Sequence, residues 1–154
     1  MPEFLPLLIL GGFGTRLSAI DIKVHRLPNR IVGLFAVTEL AILGTSSLIS
    51  ADFARLAAAF GVAMLTMATY LILFAISRGA LGMGDVKFAF PLGLCIGWYA
   101  PSYWLGTILL SFTLAGLLAS IGIITKRLHL KSALAFGPYM FFGTLMVSGY
   151  GLIT

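Results

Sequence analysis

Residues 54–76 read ARLAAAFGVAMLTMATYLILFAI. Over these 23 positions Arg55 is the only charged side chain, and it stands second in the run. A helix that crosses a bilayer needs ~20 predominantly apolar residues, with a lower limit of about 17. This stretch meets that demand on its own, and it tells us that lipid is the solvent for the chain. Five further runs outward from it have the same character: about Phe4 to Ile20, Ile31 to Ile49, Val86 to Ala100, Leu105 to Ile124 and Leu134 to Leu152. The expected fold is an all-α membrane protein of about six transmembrane helices. It forms a single domain over residues 1–154, with short connections and no internal repeat.

Composition points the same way. Sixty per cent of the 154 residues are hydrophobic and 10% are charged, where a soluble domain carries about 25% charged residues. The formal net charge is +5. The basic residues sit between the apolar runs, so membrane topology accounts for them and nucleic-acid binding is not expected. The single cysteine, Cys95, lies in an apolar run. It excludes an intramolecular disulfide or a thiol zinc cluster, and reads as a buried structural thiol. The start, Met1-Pro2-Glu3, is acidic, and no small-x-small cleavage site follows it. The first run therefore reads as a retained span rather than a removable signal.

Charge sets the orientation. Lys23, Arg26 and Arg30 follow the first span, Arg78 and Lys87 the third, and Lys126, Arg127 and Lys131 the fifth. Arg55 falls on the other side, and Arg16 lies inside the first span. Positively charged loops stay in the cytoplasm, so these three loops are expected there, with both termini outside. Trp98, Tyr99, Tyr103 and Trp104 then read as an aromatic belt at the outer interface. The fourth span is awkward, because Lys87 and Pro101 enclose only 13 residues and Pro91 interrupts them. Either the helix starts earlier and takes in Gly82-Met83-Gly84-Asp85, or those residues form an irregular turn shielded by protein or a wet cavity.

The acidic residues are Glu3, Asp21, Glu39, Asp52 and Asp85. Glu3 and Asp52 fall at outer ends, where a solvated charge is the ordinary reading. Glu39 lies mid-span, where an unpaired charge is unfavourable. A salt bridge with Arg16, or a neutral carboxyl facing the bundle, is expected. Asp21 and Asp85 each lie where a span meets the basic face. Taken singly, Asp21 also reads as a helix-end partner of Lys23 or Arg26, and Asp85 as part of a glycine-punctuated turn. Brought together in a low-dielectric site, two carboxylates share one proton. The ionised one takes a proton from water while the protonated one polarises a peptide carbonyl. The histidines, His25 and His129, sit in basic loops, without the His-Glu-x-x-His spacing of zinc proteases.

Three segments now carry a resemblance. Gly82-Met83-Gly84-Asp85-Val86-Lys87 resembles the G-x-G-D-x-K motif of type IV prepilin peptidases, a family of intramembrane aspartyl proteases. Asp21 to Asn29 is similar to that family's first catalytic motif, in which an aspartate precedes Ile-Pro-Asn; Leu27 here replaces the usual Ile. Phe88 stands where an aliphatic residue is common. Phe136-Gly137-Pro138 resembles the family's Phe-Gly-Pro at the head of the last span.

The resemblance implies an aspartic endopeptidase that removes the leader of a prepilin-like precursor, such as a Flp-type one. The cut would fall at the cytoplasmic face of a bacterial inner membrane. It implies Asp21 and Asp85 as the catalytic pair, and a tight backbone turn at Gly82 and Gly84. Lys87 would set local charge or contact substrate. Pro28 and Asn29 would shape the first loop. Phe136, Gly137 and Pro138 would pack the last helix against the site. No metal or other cofactor is implied. The chain resembles a minimal form without the N-terminal methyltransferase domain, so N-methylation is not expected. Three rival readings remain: an archaeal-type preflagellin peptidase, a small transporter using buried carboxylates, and an inactive scaffold. The Arg-Leu-Pro-Asn and Phe-Gly-Pro segments weigh against the first, the full motif set against the second, and retention of both aspartates against the third.

Overall fold

The computed structural model describes residues 3–77, 81–126 and 135–153. Six helices account for most of them: α1 Leu5–Val24, α2 Asn29–Ser50, α3 Phe53–Ile76, α4 Met83–Tyr99, α5 Trp104–Ile124 and α6 Gly137–Ile153, with a 3-10 turn at Pro101–Tyr103. Local chemistry sets several boundaries. His25 and Ala51 adopt left-handed backbone and close α1 and α2. Asp52 caps α3, its Oδ1 accepting the Arg55 N–H at 3.0 Å. Helices joined by such short turns pack as antiparallel neighbours. The ends of α1 and α3 therefore meet the starts of α2, α4 and α6 at one end of the bundle. The basic residues Arg78, Arg127 and Lys131, together with His129 and Leu134, lie outside the described residues.

The expected helices are present, with two shifts that matter. α1 runs on to Val24, which places Asp21 inside its last turn. α4 begins at Met83, which takes Gly84 and Asp85 into its first turn. The first of the two readings of the fourth span therefore holds, and Pro91 is accommodated within the helix. Four segments are long and apolar enough to cross a membrane: α1, α2, α3 and the stretch Pro101–Ile124. α4 and α6 have 17 residues each, about 26 Å at the usual rise, which is the lower limit for a span.

α4 is the hub. Its sequence is apolar on all sides, and 13 of its 17 residues are buried, as expected of a helix surrounded by others. The outer helices expose Leu34, Val37, Leu48, Ile72, Leu109 and Leu117. A shell of this kind is soluble in lipid, not in water. α3 approaches α4 through small residues on both sides. A Cβ built on Gly93 would lie 2.6 Å from the Ala63 Cα, and one on Gly97 would lie 2.6 Å from the Ala59 Cα.

Of the two readings of Glu39, the one that turns its carboxyl into the bundle agrees with the structure. No salt bridge joins Arg16 to Glu39. Arg16 is exposed on α1, while Glu39 is fully buried and its Oε1 accepts the Cys95 thiol at 2.8 Å. The side chains are set by helix rotation, which faces Glu39 toward α4. The other Glu39 oxygen, Oε2, has no hydrogen-bond partner among the described residues. This pair ties α2 to α4. Glu39→Gln keeps an acceptor for the thiol, so we expect folded yield close to wild type, measured as monodisperse protein; a large loss of yield would show that the carboxyl itself is needed.

The aromatic belt is only partly present. Tyr103 is 51% exposed, but Trp98 and Tyr99 are buried. They sit on the hub helix, which turns them inward. The Trp98 carbonyl accepts Arg55 Nε at 3.0 Å, and the guanidinium carbon lies 4.3 Å above the Trp98 ring. Arg55 also pairs with Glu3 at 3.4 Å, so Glu3 is not merely solvated.

Candidate active site

Asp21 and Asp85 meet in one cavity of about 400 Å³ at the basic end of the bundle. Both side chains are almost fully buried, at 5% and 8% exposure, yet both line that cavity. The arrangement follows from the two helix ends. α1 delivers Asp21 in its last turn, and α4 delivers Asp85 in its first.

Each aspartate is tethered by one backbone N–H. The start of α6 supplies the first. The Phe136 carbonyl accepts the N–H groups of Tyr139 and Met140 and so opens the helix. Pro138 has no N–H to offer, which leaves that of Gly137 among the unpaired donors of a helix start. It donates to Asp21 Oδ2 at 2.9 Å. On α4, the Gly82 N–H donates to Asp85 Oδ2 at 3.0 Å, while the Asp85 N–H donates to the Gly82 carbonyl at 3.1 Å. The Asp85 carboxylate thus makes the acidic half of a capping box, while the other half falls to the Gly82 backbone carbonyl because glycine has no side chain. No hydrogen bond among the described residues reaches Oδ1 of either aspartate. Each carboxyl thus has one oxygen fixed and one available for chemistry.

The glycines are needed for a different reason from the one expected. Gly82 has φ −85° and ψ 147°, extended backbone that any residue adopts, and Gly84 is helical. What both lack is a Cβ. On Gly82 it would stand 3.2 Å from Asp85 Oδ2, and on Gly84 it would stand 3.1 Å from the Leu27 Cβ. Gly84 therefore lets α4 press against the loop that follows Asp21. Gly137 is the tightest case, with its Cβ position 2.9 Å from Asp21 Oδ2. We expect Gly137→Ala to push the carboxylate away and weaken a charge-assisted hydrogen bond of about 1.5–3 kcal/mol. Activity should fall about tenfold or more at near-normal folded yield, measured as the rate of peptide cleavage in lipid.

The remaining motif residues support the site. Lys87 Nζ donates to Asn29 Oδ1 at 3.0 Å, joining the start of α4 to the start of α2. Both line the cavity. Pro28 is the residue before α2 and turns the chain between α1 and α2. Phe136 packs against Phe112 of α5 and Tyr70 of α3, while Gly137 and Pro138 are buried. Neither Lys23 nor Arg26 forms an ion pair with Asp21. His25 and Arg26 also line the cavity, and the sequence reading assigned neither to the site. The His25 N–H donates to the Asp21 carbonyl at 2.8 Å. The available signal was spacing, since His25 follows Asp21 by four residues, one helical turn. Among the described residues no group of three or more His, Cys, Asp or Glu is assembled for a metal ion.

Compared with known families, residues 8–124 match the type IV leader peptidase family. The match contains both aspartates and the glycine motif, and ends before Phe136. No curated protein and no solved structure matches the chain.

Proposed function

The chain belongs to the type IV leader peptidase family, and from that premise we propose that it is an intramembrane aspartic endopeptidase with Asp21 and Asp85 as its catalytic pair. A membrane peptidase family and four span-competent helices make it a multi-pass membrane protein. The observation that carries the reading is the matched pair of carboxyls. Each is held through Oδ2 by a backbone N–H, and both line one cavity. One carboxylate takes a proton from water, and the water oxygen attacks the scissile carbonyl. The other, protonated, donates a hydrogen bond to the carbonyl oxygen; as the C–N bond breaks, the first carboxyl passes the proton it took from water to the leaving amine, which restores the singly protonated pair. No covalent enzyme intermediate forms.

The substrate we propose is a type IV prepilin-like precursor, and cleavage assays on several precursors distinguish a Flp-type one within that class. Its hydrophobic segment lies along the helices, with the scissile bond in the cavity. The exposed cations Lys23, Arg26, Arg30 and Lys87 gather at the cavity end; this charge asymmetry supports a cytoplasmic orientation of that end, and the membrane we propose is a bacterial inner membrane. The test is to mix the purified protein in lipid with such a precursor in H₂¹⁸O and read the products by mass spectrometry. We expect one cut before the hydrophobic segment and one ¹⁸O in the new carboxyl after a single turnover. Absence of cleavage, or an acyl-enzyme trapped by hydroxylamine, would overturn the proposal.

A further inference from the structure

Asp21 is held by a backbone N–H that belongs to another helix, so something must hold that helix end in place. Phe136, the residue immediately before Gly137, carries the ring that does so. Its centroid lies 4.7 Å from that of Phe112 on α5 and 6.2 Å from that of Tyr70 on α3. Tyr70 and Phe112 are themselves stacked at 6.1 Å with 19° between their planes. Tyr70 is 2% exposed. The three rings form a closed triangle from α3, α5 and the residue that precedes α6, and centroid separations of this size are those of favourable aromatic pairs.

We infer that Tyr70 and Phe112 are positioning residues for Asp21: they seat Phe136, and Phe136 sets where the Gly137 N–H points. This rests on the reading of Asp21 as catalytic, but its structural half does not. The geometry leaves little slack. Phe136 and Gly137 are adjacent in the chain, and the Gly137 Cβ position lies 2.9 Å from Asp21 Oδ2. A shift of the Phe136 ring is therefore passed to the hydrogen bond through a single residue. α5 presents Phe112 at 38% exposure, with its ring against those of Phe136 and Tyr70. Its buried residues are Thr107, Ile108, Ser111 and Ala115, all smaller than phenylalanine.

The experiment compares Tyr70→Leu, Phe112→Leu and Tyr70→Phe in the full chain in lipid nanodiscs. One readout is hydrogen exchange of the Gly137 amide, followed by NMR in glycine-labelled protein. The other is the split of kcat from KM in precursor cleavage. We expect Tyr70→Leu to speed Gly137 exchange at least tenfold and to lower kcat about tenfold, with KM within threefold of wild type. Tyr70→Phe keeps the ring and should restore both. Phe112→Leu should reproduce the effect, and decides the matter if Tyr70→Leu does not fold. Unchanged Gly137 exchange in a folded Leu variant would overturn the clamp, as would a normal kcat with exchange accelerated. If the wild type cleaves nothing, the proteolytic reading fails while the exchange data still decide the clamp.

Discussion

Asp85→Asn and Asp21→Asn should each lower the rate of peptide cleavage by about 10³-fold or more, within the range for loss of a general acid–base group. The substitution isolates chemistry from folding. Asparagine has the shape of aspartate, and its carbonyl oxygen still accepts the Gly82 or Gly137 N–H that now reaches Oδ2. The tether survives in each variant. What disappears is the oxygen that faces the cavity and the proton it exchanges. Helical circular dichroism and elution as a single species should match wild type. A variant that folded normally and kept a tenth of the activity would remove its aspartate from the mechanism.

Gly97→Leu and Gly93→Leu should have the largest effects on folding. A Cβ at either position lies 2.6 Å from an α3 Cα, a separation that real atoms do not tolerate. The obstacle is backbone, so no side-chain rotation relieves it. Overpacking a core usually costs about 1–3 kcal/mol, and here α3 must separate from the hub helix, so we expect the upper end or more. Yield of monodisperse protein and the thermal midpoint should both drop. Gly106→Ala and Gly116→Ala are the controls, because a Cβ at either meets nothing within 4 Å. Alanine there favours helix by up to about 1 kcal/mol, so yield should hold or rise. Equal losses at all four sites would contradict the close-packed α3–α4 seam.

The class of fold was legible because a run such as 54–76 permits one kind of solvent. Both aspartates were legible because motifs mark them and the charge pattern puts them at one end. Rotation of each helix was not legible. α4 is apolar on every side, so nothing in its sequence said that Trp98 and Tyr99 face inward, or that Cys95, not Arg16, meets Glu39. The glycine motif was found, but its reason was hidden. Sequence shows that a Cβ is missing, not whether backbone angle or a neighbouring atom demands it. For Gly82, Gly84 and Gly137 the neighbour decides. The Asp21–Gly137 bond spans 116 residues, beyond the reach of any local pattern.

The central claim is that Asp21 and Asp85 act as one unit. Cleavage rates of wild type, Asp21→Asn, Asp85→Asn and the double variant, measured on one precursor in lipid, test it most directly. Residues that work as a unit give strongly non-additive losses. The double variant should be no slower than either single one. Losses that multiply, or activity retained in one single variant, would show that the two carboxylates act separately.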